Sequence, residues 1–396
     1  MPWKVQTPMT ARREFVEDYR RGLYSMAELC ARYAVSRPTG YKWVERYASE
    51  GLGGLADRRR VAAHCPHRTP APIAAALLDA RRRHPTWGPR KLLLYLARRQ
   101  PRTPWPAAST VGALLRAHGL VTPRRRRRPL GHPGRPTTPM DAPNVVWTAD
   151  FKGDFAVGDG SRCYPLTIAD GYSRYLLACQ GLAAANHVLS RPIFERLFEE
   201  HGLPARLRSD NGAPFATCAL CRLSRLSVWW LRLGIQPELI EPAHPEQNGR
   251  HERMHRTLKA ETTRPPAGSL AAQQRRFNNF RVEYNAERPH DGLHGATPAS
   301  CYTASPRPYP ERLQPIEYPG HFEVYYVSTN GGIRFRSRWV NLSHVLAEEY
   351  VGLEEIDDAV WNVYFGTFLL GRFDERDRHI HGAHNRNRLP RAKPNV

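Results

Sequence analysis

No stretch of this sequence is both long and apolar. The roughly 18 to 20 consecutive residues that a membrane-crossing helix needs never occur. Residues Met1 to Arg21 carry early charges and no apolar core, which argues against a secretory leader. A cytoplasmic protein is expected. Cysteine is scarce: Cys30, Cys65, Cys163, Cys179, Cys218, Cys221 and Cys301 are odd in number and irregular in spacing, which excludes a disulfide framework. Cys218-x-x-Cys221 and His64-Cys65-Pro66-His67 look like zinc half-sites. Neither has a second pair at metal spacing, so free thiols are the expectation.

Acidic residues are also short, 37 against 59 Lys and Arg. The deficit is local: residues 1–140 hold 28 of the basic residues and 8 of the acidic ones, leaving 31 against 29 in the rest. Such a front half is the electrostatic footprint of a nucleic-acid binder. At 396 residues and 41% hydrophobic, the chain can bury several cores and should hold two to four domains.

Residues 1–60 read as three short helices. Thr10 caps a helix to Arg20, Ser25-Met26-Ala27-Glu28 is a capping box opening a second, and Ser36 caps a third through Tyr47. Val35, Trp43, Val44 and Tyr47 fall on one face, leaving Arg37, Thr39, Tyr41, Lys42 and Arg46 outward. That is the arrangement of a helix-turn-helix, with an ordinary three-helix bundle as the bland alternative. Residues 66–122 repeat the organisation: a helix from Pro72 to His84, another from Lys91 to Arg99, and a third capped by Ser109-Thr110 through His118. Residues 123–141 carry Arg124, Arg125, Arg126, Arg127 and Arg128 in a row, then Gly and Pro, and read as a basic linker lying along phosphates.

From residue 142 to 305 strands and helices alternate, as in a mixed sheet covered by helices. Strands are expected at Val145 to Phe151, Tyr164 to Ala169, Tyr175 to Gln180, Arg206 to Ser209 and Ile235 to Ile240. Helices are expected at Asn186 to His201, Leu220 to Leu233, Gly249 to Glu261 and Ser269 to Ala286. Residues 315–378 read as a small all-β barrel or sandwich. A hairpin turning at Asn330-Gly331 should join Phe322–Ser328 to Ile333–Val340, with Gly352 to Asp358 as a connection. Residues 379–396 read as a polar tail.

Asp150 ends one strand, Asp210 follows another, and Glu252 lies in the first turn of a helix. Three carboxylates that a fold can converge, in a basic chain, suggest divalent cations acting on phosphodiesters. Arg256 and Lys259 follow Glu252 at i+4 and i+7 and share its face. Asp154, Asp159 and Asp170 read instead as cap or turn residues.

The ordered series Asp150, Asp210-Asn211-Gly212, Phe215, Pro245-x3-Gly249-x2-Glu252, Tyr284-Asn285, Arg288-Pro289-His290 and Thr297-Pro298 closely resembles the Asp-Asp-Glu core of bacterial insertion-sequence transposases and retroviral integrases. The resemblance covers residues 144–302. By the spacing usual in retroviral integrases, with 35 residues between it and Asp210, the acid would be Glu246; by motif and helix position it is Glu252. The family often has Gln where Glu246 stands, and its retroviral His-His-Cys-Cys zinc module is not reproduced. The resemblance implies a ribonuclease-H-like core whose catalytic and metal-binding residues are Asp150, Asp210 and Glu252. It implies two Mg2+ ions, with Mn2+ able to substitute, and double-stranded DNA (terminal repeats and target) as partner. It also implies assembly as a homo-oligomer on DNA, in a bacterial nucleoid setting. The activity implied is DNA transposition: cleavage at element ends and transfer of a 3′-OH into target DNA. The rival readings are a non-catalytic DNA-binding regulator or decayed element, and a nuclease with the same core but no strand transfer.

Overall fold

The computed structural model describes residues 7–58, 68–121, 138–241 and 245–382, without the side chains of residues 245 and 246. Arg124 to Arg128 and the side chain of Glu246 lie outside the described residues. The chain divides into two compact units, Met1–Thr69 and Pro70–Val396.

The first unit holds α1 (Pro8–Arg20), α2 (Met26–Arg32) and α3 (Arg37–Glu50). The first cap is Thr7, whose hydroxyl accepts from the Thr10 amide, so Thr10 is not the cap expected but its partner. Ser25 and Glu28 form the expected capping box. Ser36 precedes α3 but spends its hydroxyl on Thr39 rather than on the helix backbone. Phe15, Val16, Leu29, Cys30 and Trp43 make the core, with Val35, Val44 and Tyr47 packed around them. Gly40 lets α3 close on that core: a Cβ there would meet Cys30, Met26 and Phe15 at 2.9 Å.

In the second unit, α4 (Ala71–Arg83), α5 (Pro89–Arg99) and α6 (Ala108–Ala117) enclose Leu77, Trp87, Leu92, Tyr95, Val111 and Leu115. Ser109 and Thr110 lie inside α6, which starts after Ala107 without a side-chain cap. A mixed sheet with its helices follows: β1 (Val146–Phe151), β2 (Phe155–Ala156), β3 (Arg162–Asp170), β4 (Leu176–Leu182), α7 (His187–His201), β5 (Arg206–Ser209), α8 (Arg225–Arg232), β6 (Gln236–Leu239), α9 (Gly249–Thr262), α10 (Leu270–Ala286) and α11 (Pro298–Cys301). The strand order is β4-β3-β1-β5-β6, with β2 a stub on β3; β1, β5 and β6 run parallel, and β3 and β4 antiparallel. Strand alternation sorts the side chains. Trp147, Ala149, Leu166, Ile168 and Leu207 face α7 and α8; Cys163, Leu176 and Cys179 face Met254, Leu258, Phe277 and Tyr284 of α9 and α10. α7 runs through Pro192, with Asn186 as its cap. The helix expected over Leu220–Leu233 is instead broken, because Cys221 (φ 53°) and Arg222 (φ 59°) turn left-handed before α8.

α4–α6 are fastened to α9 and α10. His84 meets Glu283 at 2.8 Å and stacks on the buried Trp87, while the Arg98 guanidinium donates to the Gly295 carbonyl. Thr86 and Arg288 both bond Glu261.

The C-terminal region is all-β, but two expectations fail. β7 (Glu323–Tyr326) pairs with β10 (Tyr350–Asp357), while β8 (Gly332–Phe335) turns through Arg336 and Ser337 into β9 (Arg338–Asn341). The hairpin therefore turns at two left-handed residues inside the stretch read as one strand, not at Asn330-Gly331. β10 occupies most of the expected connection because Val351 and Leu353 alternate into the core, and Gly352 leaves room for Tyr318 and Phe322. β11 (Val360–Phe365), β12 (Phe368–Asp374) and β13 (His379–Gly382) complete a five-stranded sheet, so the polar tail begins as a strand.

Trp87 is fully buried and joined by stacking to His84 and edge-on to Tyr95. Trp87→Ala should cost about 3–5 kcal/mol in chemical denaturation, and a variant unfolding at the wild-type midpoint would contradict this packing.

Candidate active site

Alternation along β1 puts Thr148 and Asp150 on the face opposite Trp147 and Ala149, beneath α9. Thr167 of β3, in register with Asp150, joins them. On α9, His251 and His255 are one turn apart and reach down to this polar stripe. Thr148 Oγ1 lies 2.8 Å from His251 Nδ1, and Thr167 Oγ1 lies 2.7 Å from His251 Nε2 and 2.6 Å from His255 Nε2. His255 Nδ1 then stands 3.4 Å from Asp150 Oδ2. Burial holds both imidazoles neutral: His251 falls to about 3 and His255 lower still. Sequence reading missed these histidines. The signal was available in His251 and His255 flanking Glu252 at helical spacing, opposite Thr148 and Asp150 at strand spacing.

Seating α9 in this way brings Glu252 toward Asp150, and the parallel pairing of β5 with β1 brings Asp210 there. Burial first, then the nearby Asp210 charge, push the Asp150 carboxyl up to about 7, with Glu252 adding to the rise and Lys152 opposing it. Asp210 is also raised by burial, although the Gly212 amide donates to it at 3.2 Å. The Asp210 loop is tied to the end of β6 by Asn211, whose amide donates to the Ile240 carbonyl at 2.8 Å. Glu252 is exposed in the first turn of α9, where a carboxylate suits the positive end of the helix. Arg256 and Lys259 are exposed on the same face; Arg253, which sequence reading did not single out, is also exposed, about a quarter-turn round the helix.

Among the described residues, one group of three potential ligand atoms lies within 4.8 Å of one another, on Asp150, His251 and His255. It is a poor cage, because the Thr167 hydroxyl already takes both Nε2 atoms. The three carboxylates are set wider than that limit. An all-oxygen set of three acids that repel one another fits hard cations, and a pair of ions about 3.5–4 Å apart needs such a spread.

On α3, Arg37, Tyr41 and Lys42 are exposed as expected, while Thr39 and Arg46 are half-buried. Lys42 Nζ and Arg46 Cζ lie 4.8 and 5.2 Å from the Trp43 ring centre. Asp170 is a turn residue, accepting from the Asn144 and Ser173 amides, and Asp159 accepts from the Ser161 amide. Asp154 pairs with Arg162. Cys218 is an exposed thiol, and the buried Cys221 thiol donates to the Leu370 carbonyl at 2.7 Å.

Residues 140–245 and 233–298 match two families described as integrase core domain. Residues 11–61 match a helix-turn-helix domain, and residues 39–115 a homeodomain-like domain. Residues 140–298 are thus an integrase core domain. The chain carries helix-turn-helix units ahead of that core, in keeping with the likeness to insertion-sequence transposases. It is 27% identical over 195 residues to an uncharacterized 31.7 kDa protein of insertion element IS407 from Burkholderia multivorans, covering 47% of this chain and 65% of that protein. It is 30% identical over 132 residues to the Gag-Pol polyprotein of baboon endogenous virus, covering 33% of this chain and 7% of the polyprotein. The chain thus spans less than two thirds of either relative. Among solved structures, the HTLV-2 integrase catalytic core domain in complex with magnesium matches with TM-score 0.33 and 14% identity, over 41% of this chain and 97% of that one. No helix among the described residues is long and apolar enough to cross a membrane.

Two outcomes follow for the integrase core. The Asp150 carboxyl titrates near 7 when folded and near its ordinary value of 3.8 when unfolded, so the folded state holds the extra proton between them. Metal-free stability should therefore fall as pH rises from about 4 to about 7 and level off above. Mn2+ affinity should rise over the same range, since the ion displaces that proton. Calorimetric titration at several pH values checks this, and a pH-independent affinity would contradict it. Thr167→Val would strip both imidazoles of their shared partner and should lower Mn2+ affinity roughly 10- to 100-fold, with wild-type affinity as the contrary result.

Proposed function

We propose that this chain is a DNA transposase that binds the ends of a mobile element, cleaves there, and joins the exposed 3′-OH to target DNA. The observation that carries the reading is the mutual field of Asp150, Asp210 and Glu252, beside the exposed cations of α9. In this reading Asp150, Asp210 and Glu252 hold two Mg2+ ions, for which Mn2+ substitutes. When bound, the ions supply positive charge to the attacking and leaving oxygens of an in-line displacement. Arg256 and Lys259 hold substrate phosphates, and the neutral His255 keeps Asp150 in place. Water opens the strand and leaves a 3′-OH; that hydroxyl then attacks a target phosphodiester, forming one ester bond as another breaks. Arg37, Thr39, Tyr41, Lys42 and Arg46 read the terminal repeat from α3 in the major groove, and Arg124 to Arg128 lie along phosphates. Two ends are held by a homo-oligomer assembled on the DNA.

The test is Mg2+-dependent joining of a labelled terminal-repeat oligonucleotide to target DNA. Wild type should join. Glu252→Gln should abolish joining while sparing end binding, and Glu246→Gln should join normally. Loss with Glu246→Gln alone would move the third acid to residue 246. Strand opening without joining would make the chain a nuclease. Tight end binding with neither reaction would make it a regulator. Lys42→Ala should cost on the order of 1 kcal/mol of end binding, and undiminished affinity would remove α3 from recognition.

A further inference from the structure

A pocket of about 620 Å³ opens beside the N-terminus of α9, and Arg174, Arg208, Arg250 and Arg253 line it, with no carboxylate among the described lining residues. Arg208 is neutralised by Glu238 at 2.7 Å. Arg174, Arg250 and Arg253 form no ion pair among the described residues. Asp170, near Arg250, has both oxygens occupied by the Asn144 and Ser173 amides and the Ser173 hydroxyl, and Arg250 Nη1 donates to the Gly171 carbonyl at 2.6 Å. Three more features weight the pocket toward donors, although the buried Asn248 Oδ1 is an acceptor without a partner. Arg174 Nε and Gln247 Nε2 are buried without a partner, while the Gln247 carbonyl accepts from the Glu241 amide. Asn248 leaves the helix start without a side-chain cap, so first-turn amides add to the donors. Gly292 lets the Arg174 guanidinium lie flat on the backbone, where a Cβ would collide with it.

We infer that this pocket binds a phosphate group of the DNA strand that runs along α9 past Glu252. Guanidinium forks and helix amides are the donors that phosphate oxygens take. Arg253 lines the pocket and is exposed about one turn before Arg256, roughly 4.5 Å along the helix axis and about one step of a DNA strand at 3.4 Å. The pocket would therefore hold a phosphate next to the one at Arg256. This inference rests on the transposase reading for its ligand, although any DNA-binding integrase core would satisfy it.

The test uses the full chain and a short fluorescent duplex of arbitrary sequence, with affinity followed against salt. Each phosphate no longer neutralised should lower the log–log slope by about 0.9. Arg253→Gln, at an exposed position, should release about one phosphate, and Arg174→Gln with Arg250→Gln at least as many. Unchanged slopes in folded variants would overturn the proposal; should the double variant fail to fold, Arg253→Gln alone decides. A second arm adds inorganic phosphate at constant ionic strength and follows thermal unfolding. Stabilisation of wild type by phosphate, absent from the variants, together with unchanged DNA slopes would mean a free-anion site and would overturn the DNA assignment. Wild-type joining of a terminal-repeat oligonucleotide is scored separately. Lowered slopes without joining would defeat the transposase reading alone, and joining with unchanged slopes would defeat this inference alone.

Discussion

His251 and His255, one turn apart on α9, are held to the sheet by the hydroxyls of Thr148 and Thr167, and this seating fixes where Glu252 stands relative to Asp150. Four polar side chains meet there in a space otherwise filled by Met254, Leu258 and Phe277. Buried imidazole and hydroxyl groups are tolerable only when paired, because an unpaired one costs about 1–3 kcal/mol. Any shift of α9 along the sheet would break several of these hydrogen bonds at once. A helix pinned by directional bonds is better placed to present an acid at a fixed height than one packed by apolar contacts alone.

The same seating generates the electrostatics. Asp150 sits at the edge of a dry interior and faces two further acids, so the site is held together against its own repulsion. The surrounding architecture supplies the opposing stability: aromatic packing of Trp147, Phe194, Phe198 and Trp230 on one side of the sheet, and the clamp of α4–α6 onto α9 and α10 on the other. The second helical unit is thus part of the frame that supports the acids, whereas composition alone groups it with the first as a DNA reader.

Much of this was legible in the sequence because it depends on local pattern. Asp150 and Asp210 close strands that alternate cleanly, and Asn248-Gly249 marks the start of α9, so the acids could be placed before any fold was known. The capping box at Ser25 and the β character after residue 315 are of the same kind. What escaped depended on distant partners or on backbone turns without a sequence marker. Cys221 and Arg222 adopt left-handed conformations that neither residue type advertises, which split the helix expected over Leu220–Leu233. Arg336 and Ser337 did the same to a strand, against the stronger Asn330-Gly331 signal. Glu354 and Glu355 hid β10, whose buried positions are Val351 and Leu353. The histidines were missed for a different reason: their helical spacing was visible, but the partners that give it meaning lie 84 to 103 residues away.

The central claim is that Asp150, Asp210 and Glu252 form one metal site, with His251 and His255 serving structure rather than coordination. Anomalous diffraction from crystals of the protein with DNA and Mn2+ tests it most directly. The account predicts Mn2+ peaks bounded by the three carboxylates, with the imidazole nitrogens still bonded to Thr148 and Thr167. A peak bound by His251 and His255, or one drawn to Glu246 with Glu252 left free, would contradict it.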